Sequence, residues 1–327
     1  MSQPLPQHKV LQEAANWFAT LSDELVSEQE KNQWQSWLDQ HPDHRQAWCY
    51  VENISQRFNV ARQQAGTSGT STILNNSRME RIKRRQLMRN TMVVMLGGWL
   101  GWQYTPLPEV TARVAHRWRA DHYTGIGDVR ELALDDGGKL WLNTDTALDV
   151  HYSAGHRNLL LHSGEIYIET AVDPQQRPFT VTSQHGQIRA LGTGFTVRQY
   201  KTDTQVSVYE GAVEITTRSG LKQRLNAGQQ TLFNAHTIAA EARARPGHKS
   251  WSQGVIVAED MTVQQLLDEL GRYHTGHIGL HPALSKLRVT GTYPLHQPHH
   301  VLAMLENTLP LKVSRIFSWW ITLEPTP

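Results

Sequence analysis

A block of positive charge runs directly into a stretch with no charge at all, and few folds accommodate that junction. Arg78–Arg89 reads RMERIKRRQLMR, six basic residues against one acidic, and Thr91–Tyr104 reads TMVVMLGGWLGWQY. Trp99, Trp102 and Tyr104 gather at the far end, ahead of Pro106 and Pro108. Basic residues resist transfer through a bilayer, and amphipathic aromatics settle at its interface. The expectation is a single transmembrane helix at 91–104, with the N-terminus cytoplasmic and the C-terminus outside. Roughly 20 apolar residues normally span a bilayer, whereas this run holds fourteen, three of them glycine. A buried core helix is the competing reading of so short a run. Two features favour the membrane. The basic block is dense for the edge of a core, and Arg84 and Arg85 are followed by Leu87 and Met88, as in a twin-arginine export signal. These four residues are the expected export and orientation signal. No Ala-x-Ala site directly follows Tyr104, so the segment reads as a retained anchor.

Charge divides the chain in the same way. Residues 1–60 carry four basic and eight acidic residues, residues 61–89 carry seven and one, and the remainder carries 21 of each. The N-terminal part, 1–63, reads as a small all-α bundle of three helices. Val10, Ala14, Trp17, Phe18 and Leu21 recur at helical spacing. Ser27-Glu28-Gln29-Glu30 fits a capping box, His41-Pro42 ends the second helix, and Ala47, Trp48, Val51, Ile54 and Phe58 mark a third. Trp17, Trp34, Trp37 and Trp48 are a heavy aromatic load. Such residues either fill a small core or anchor a partner. An acidic surface repels nucleic acid, so direct nucleic-acid binding is not expected. Residues 64–90 read as a polar tether leading into the basic segment.

From 115 to 245 the apolar period changes to two. Leu132 and Leu134, then Leu140 and Leu142, flank Asp135-Asp136-Gly137-Gly138, a hairpin signal. Ile166/Ile168, Phe179/Val181, Phe195/Val197, Val206/Val208 and Val213/Ile215 follow, punctuated by Gly164, Gly186, Gly192, Gly194, Gly211 and Gly228. The expectation is an all-β domain, sandwich- or solenoid-like. Gly192-Thr193-Gly194 lacks the rest of a nucleotide loop and reads as a turn.

Residues 251–327 read as a second, α+β domain of order β-α-β-β-α-β-β, with helices over Met261–Tyr273 and His299–Leu309 and with sheet edges left for a partner. His274, His277, His281, His296, His299 and His300 lack cysteine or spaced carboxylate co-ligands and read as loop histidines, so no metal or other cofactor is expected. The chain contains no nucleophile elbow, no HExxH and no phosphate loop, and is not expected to be an enzyme. An anchored module for glycan or peptidoglycan, using Trp118, Tyr123 and Trp141, is the alternative to a signalling protein.

The motifs Ala15-Asn16-Trp17, Trp34-x-x-Trp37, Ala47-Trp48, Arg177-Pro178-Phe179, the run Ala190–Arg198, Arg272-Tyr273 and Gly291-Thr292-Tyr293-Pro294-Leu295 together resemble the FecR family of sigma-factor regulators. The resemblance covers nearly the whole chain. It implies a single-pass protein of a bacterial inner membrane with two periplasmic domains, the last of them a βαβ-repeat like the short N-terminal domains of secretins and TonB-dependent receptors. It further implies that the helical domain binds an extracytoplasmic-function sigma factor, with Trp17, Trp34, Trp37 and Trp48 shaping that surface. The last domain, through Arg272, Tyr273, Gly291 and Tyr293, would meet the signalling domain of a TonB-dependent outer-membrane receptor and so control iron-uptake genes. Site-specific and membrane proteases would cut the chain stepwise, the final cut falling near Gly97, Gly98 and Gly101, where glycine weakens a helix.

Overall fold

A computed structural model describes residues 6–22, 26–67 and 120–326, and the chain forms two units, Met1–Val114 and Ala115–Pro327. In the first, α1 (His8–Leu21), α2 (Glu28–Gln40) and α3 (Pro42–Thr67) form the bundle. Leu11, Ala14 and Ala15 make the buried stripe of α1. The two alanines let α1 sit close on α3, where Ala47, Val51 and Ile54 are buried. Ser27 caps α2 reciprocally: its hydroxyl accepts from Glu30 N–H, and the Glu30 carboxylate accepts from Ser27 N–H at 2.8 Å. Glu28 and Glu30 then lie at the positive end of the helix dipole. Pro42 opens α3 at a position where no N–H is needed.

The expectation of a transmembrane helix is corrected here, and with it the single-pass inner-membrane placement. Among the described residues no helix is long and apolar enough to cross a membrane. The longest, α3, carries Asp43, Arg45, Glu52, Arg57 and Arg62. The run 91–104 lies outside the described residues, as do Arg84, Arg85, Leu87, Met88, Gly97, Gly98 and Gly101. Length is the physical reason: fourteen helical residues reach about 21 Å, short of a hydrocarbon core of about 30 Å.

The second unit begins with thirteen strands: β1 (His122–Tyr123), β2 (Arg130–Ala133), β3 (Lys139–Leu142), β4 (Ala147–Tyr152), β5 (Arg157–Glu169), β6 (Phe179–Thr182), β7 (Gly186–Ala190), β8 (Gly194–Gln199), β9 (Thr204–Glu210), β10 (Ala212–Thr217), β11 (Lys222–Asn226), β12 (Gln229–Phe233) and β13 (Ala242–Arg243). One layer contains β1, β4, β6, β7, β10 and β11, and the other β2, β3, β8, β9, β12 and β13. The first half of β5 pairs with β4 and β6, and its second half with β3 and β8. Gly164, at φ +89°, marks the passage between layers. A Cβ there would lie 2.5 Å from the Thr146 Cα, so only glycine fits. Leu140, Leu142, Leu159, Ile166, Phe179, Val197, Val208 and Ile215 interdigitate in one core between the layers. Only β5 and β6 pair in parallel among these strands, so the domain is a sandwich, not a solenoid of parallel coils.

A buried ion pair closes one end. Arg157 bonds Asp136 of the β2–β3 turn at 2.6 Å and also donates to the carbonyls of Ala171 and Arg177. Arg177 in turn grips the Asp173 carboxylate through three bonds, one from its backbone N–H and two from its guanidinium, and Phe179, two residues on, is buried. The Arg-Pro-Phe motif is thus a loop anchor.

A 3-10 segment, Pro246–Gln253, leads to β14 (Val255–Thr262), α4 (Val263–Gly271), β15 (His277–Leu280), β16 (Arg288–Pro294), α5 (Pro298–Thr308), β17 (Leu311–Phe317) and β18 (Trp320–Pro325). These strands make two small sheets, β14–β16 and β15–β18–β17, in place of a single one. The first helix starts at Val263, two residues later than periodicity suggests, because Met261 and Thr262 still pair with β16 and Thr262 caps the helix. Leu266, Leu267, Leu270, Val301, Leu302 and Leu305 pack with Tyr167 of β5, with Trp141 and Tyr209 against them. The core of this part is therefore continuous with the outer face of the sandwich.

Candidate interaction surfaces

In the helical unit the four tryptophans separate into different roles. Trp37 is buried; its indole N–H donates to Glu13 at 3.0 Å, and its ring stacks on His44 with centroids 4.4 Å apart. It is a core residue. Trp48 sits between Trp34, at 4.9 Å, and Phe18, at 5.8 Å. These rings are half-buried, as is Trp17. The Trp34 indole N–H has no hydrogen-bond partner among the described residues. Burial pushes the nearby Glu52 carboxyl up, and a bond from Trp48 only partly offsets this. That N–H is itself buried, so what the group offers a protein surface is its half-buried rings.

In the second unit, Arg272 and Tyr273, at the end of α4, turn inward onto the sandwich. Arg272 bonds Glu165 at 2.7 Å and Glu269 at 2.9 Å, and Glu269 also takes Arg198 of β8 at 2.7 Å. Asn143 donates to Glu165 at 2.9 Å and accepts the Tyr273 hydroxyl at 2.6 Å. The Thr144 hydroxyl donates to Arg272 C=O at 3.1 Å. Burial pushes the Glu269 carboxyl up, but the guanidiniums of Arg272 and Arg198 outweigh it and hold the group at about 2. Burial works against the charge on Arg272 as well, and Glu165 and Glu269 more than compensate. Beside this network opens a cleft of about 550 Å³, lined by Thr196, Arg198, Trp251, Glu259 and Arg272 among others. Its charges are mostly paired with one another, so it offers no concentrated field to a charged ligand.

Gly291 and Tyr293 lie on β16. Tyr293 is buried in the core of the C-terminal part, and Gly291 contributes backbone at φ +156°. Of the four residues expected to face a receptor, Arg272, Tyr273 and Tyr293 therefore make internal contacts. Their partners Glu165, Asn143, Arg198 and Glu269 were not anticipated from the sequence. The available signal was Glu165 itself, a carboxylate directly preceding the apolar Ile166 and Ile168. Trp141 stacks on Tyr167 at 5.1 Å, apart from the exposed Tyr123, while Trp118 lies outside the described residues. Among the described residues, no three histidine, cysteine or carboxylate groups gather to hold a metal.

Comparison with known proteins matches residues 120–214 to the family described as FecR protein. Residues 12–54 match a domain of unknown function, DUF4880. No curated protein sequence matches the chain. Among solved structures, a candidate anti-sigma factor from Parabacteroides distasonis ATCC 8503, determined at 1.65 Å, superposes with a TM-score of 0.52 and 20% identity. That match covers 63% of this chain and 99% of the other. A second determination of a candidate anti-sigma factor from the same organism, at 2.50 Å, gives 0.50 and 20%, covering 63% and 98%. The likeness is one of fold.

Proposed function

We propose that this chain, which belongs to the FecR family, is a regulator that holds a sigma factor and is itself controlled through its second unit. The observation that carries the reading is the family match over the β-sandwich, residues 120–214. The DUF4880 match over the bundle and the fold shared with candidate anti-sigma factors support it. The bundle is the sigma-binding part, with the half-buried Trp34–Trp48–Phe18 group and Trp17 at the contact and Trp37 inside. The sigma factor is of the extracytoplasmic-function class. Residues 251–327 receive the signalling domain of a TonB-dependent receptor, and the genes controlled serve iron uptake. Proteolysis between the two units would free the bundle with its sigma factor. No chemistry is assigned to the chain, because regulation of this kind needs only binding.

The test is co-expression of the full chain with each extracytoplasmic-function sigma factor of the source genome. A stoichiometric complex surviving moderate salt is expected with one of them, and failure to recover any complex would sink the reading. Deleting the gene then separates two modes: constitutive expression of the receptor gene means inhibition, and lost expression means that the bundle also activates.

A further inference from the structure

Six histidines crowd residues 251–327, and one of them is placed unlike a loop residue. His274 follows Tyr273 at the end of α4, in the turn that leads to β15. It is half-buried, and its ring meets that of the exposed His299, in the first turn of α5, edge-on with centroids 6.2 Å apart. The His274 Nε2 is buried and has no hydrogen-bond partner among the described residues. A glycine makes room for it: a Cβ on Gly276 would come within 2.6 Å of that Nε2 and 2.2 Å of the Trp319 carbonyl oxygen. One imidazole thus sits where the α4–β15 turn, α5 and the β17–β18 turn come together.

A proton on His274 would make a cation with no acceptor at Nε2, and burying a charge without a partner is costly. The groups around it offer no relief. From α5 it faces His299, itself a base. On its own element, Arg272 is a cation turned toward Glu165 and Glu269, and His277 stacks on Trp320 with centroids 4.0 Å apart. The β17–β18 turn presents Trp319, which carries no charge. Between Arg272 and Leu305 the sequence contains no carboxylate. Burial first, and then His299, push the His274 imidazole below its ordinary 6.5. The folded form therefore resists the proton more than the unfolded chain does. The stability that this seat contributes is complete above about pH 6.5 and is lost as the pH falls through the lower, folded value.

We infer that the His274–His299 contact is an acid-operated latch: protonation of His274 drives the two rings apart and frees the α4–β15 turn from α5. The core beneath, built on Leu266, Leu270, Val301 and Leu305, stays packed. The opening is local, and a proton sets its population.

The test is amide hydrogen exchange of the full chain at about pH 7.5 and about pH 5.5, corrected for the intrinsic pH dependence of exchange. Protection at residues 274–277 should fall about fivefold on acidification, while that of β5 holds within about twofold. His274→Phe keeps a ring in the seat and removes the titrating group, so its protection there should change less than about twofold. His299→Gln alters an exposed residue and removes the facing base; it should diminish the acid response by about half. In nitrogen NMR of the wild-type imidazoles, the signal missing from His274→Phe should titrate below 6.5. Unchanged protection in the wild type, an equal fall in His274→Phe, or a His274 midpoint at or above 6.5 would each overturn the latch. So would an equal fall at β5, which is global acid unfolding. If His274→Phe does not fold, an undiminished response in His299→Gln overturns it instead.

Discussion

Arg272→Met keeps a side chain of similar length and removes the charge that joins α4 to the sandwich. Its effect falls unequally on two carboxylates. The Glu269 side chain is 33% exposed and retains Arg198, so it loses little. The Glu165 side chain is only 6% exposed and keeps one bond, from Asn143. Breaking a buried pair from one side costs about 3–5 kcal/mol. The Asn143 bond and the partial exposure of Arg272, 18%, bring the expectation down to about 2–4 kcal/mol. For a unit of this size that is a fall of roughly 5–12 °C in Tm. Calorimetry of the full chain, following the transition of the second unit, measures it. Adding Glu165→Gln should recover at least half of the loss, because a neutral amide needs no cation and can still bond Asn143. A shift under about 1 °C, or a double variant no better than the sum of the singles, would refute the buried-pair argument. The acid limb gives a second check. Glu269 is held at about 2, below its ordinary 4.5, so the folded form resists the proton more than the unfolded chain does. Its contribution is complete above about pH 4.5 and is lost as the pH falls toward 2. In Arg272→Met this contribution should shrink, and its loss should be complete at a higher pH.

Other expectations follow from the same contacts. Asp136→Asn leaves the buried Arg157 guanidinium without its counter-charge, and denaturant titration should show a loss of about 2–4 kcal/mol. Gly164→Ala forces a Cβ onto the Thr146 backbone at positive φ, and should cost more than about 3 kcal/mol or abolish soluble expression. Trp37→Ala should lower helicity in circular dichroism, at a cost of about 3–5 kcal/mol, whereas Trp17→Ala should leave the bundle folded and weaken sigma-factor capture at least tenfold. Ser27→Ala removes the cap of α2 and should cost about 1 kcal/mol, read by thermal melting.

What the sequence discloses is mostly local. Ser27 and Glu30 advertise a capping box because both bonds lie within one turn, and both are made. Asp136-Gly137-Gly138 advertises a hairpin because the turn chemistry sits in adjacent residues: Gly137 takes φ +83° and the Asp136 carboxylate accepts Gly138 N–H. The network around Arg272 is opaque for the opposite reason. Its members Asn143, Glu165, Arg198 and Glu269 are drawn from β3–β4, β5, β8 and α4, and no periodicity links them. The run 91–104 misled by its flanks, since basic residues and aromatics signal orientation at an interface but cannot supply missing length. Likewise, Arg272-Tyr273 is a motif one expects at a contact, and it is at a contact, but an internal one.

The passage of β5 through both layers of the sandwich also has a mechanical side. Two sheets held only by side chains can slide or peel apart under load. Here one continuous backbone is stitched into both, so separating the layers means tearing β5 from β3, β4, β6 and β8. Glu165, one residue past the bend, is also where α4 is moored. Tension arriving through α4 therefore enters the sandwich at its least deformable strand and is shared by both sheets at once.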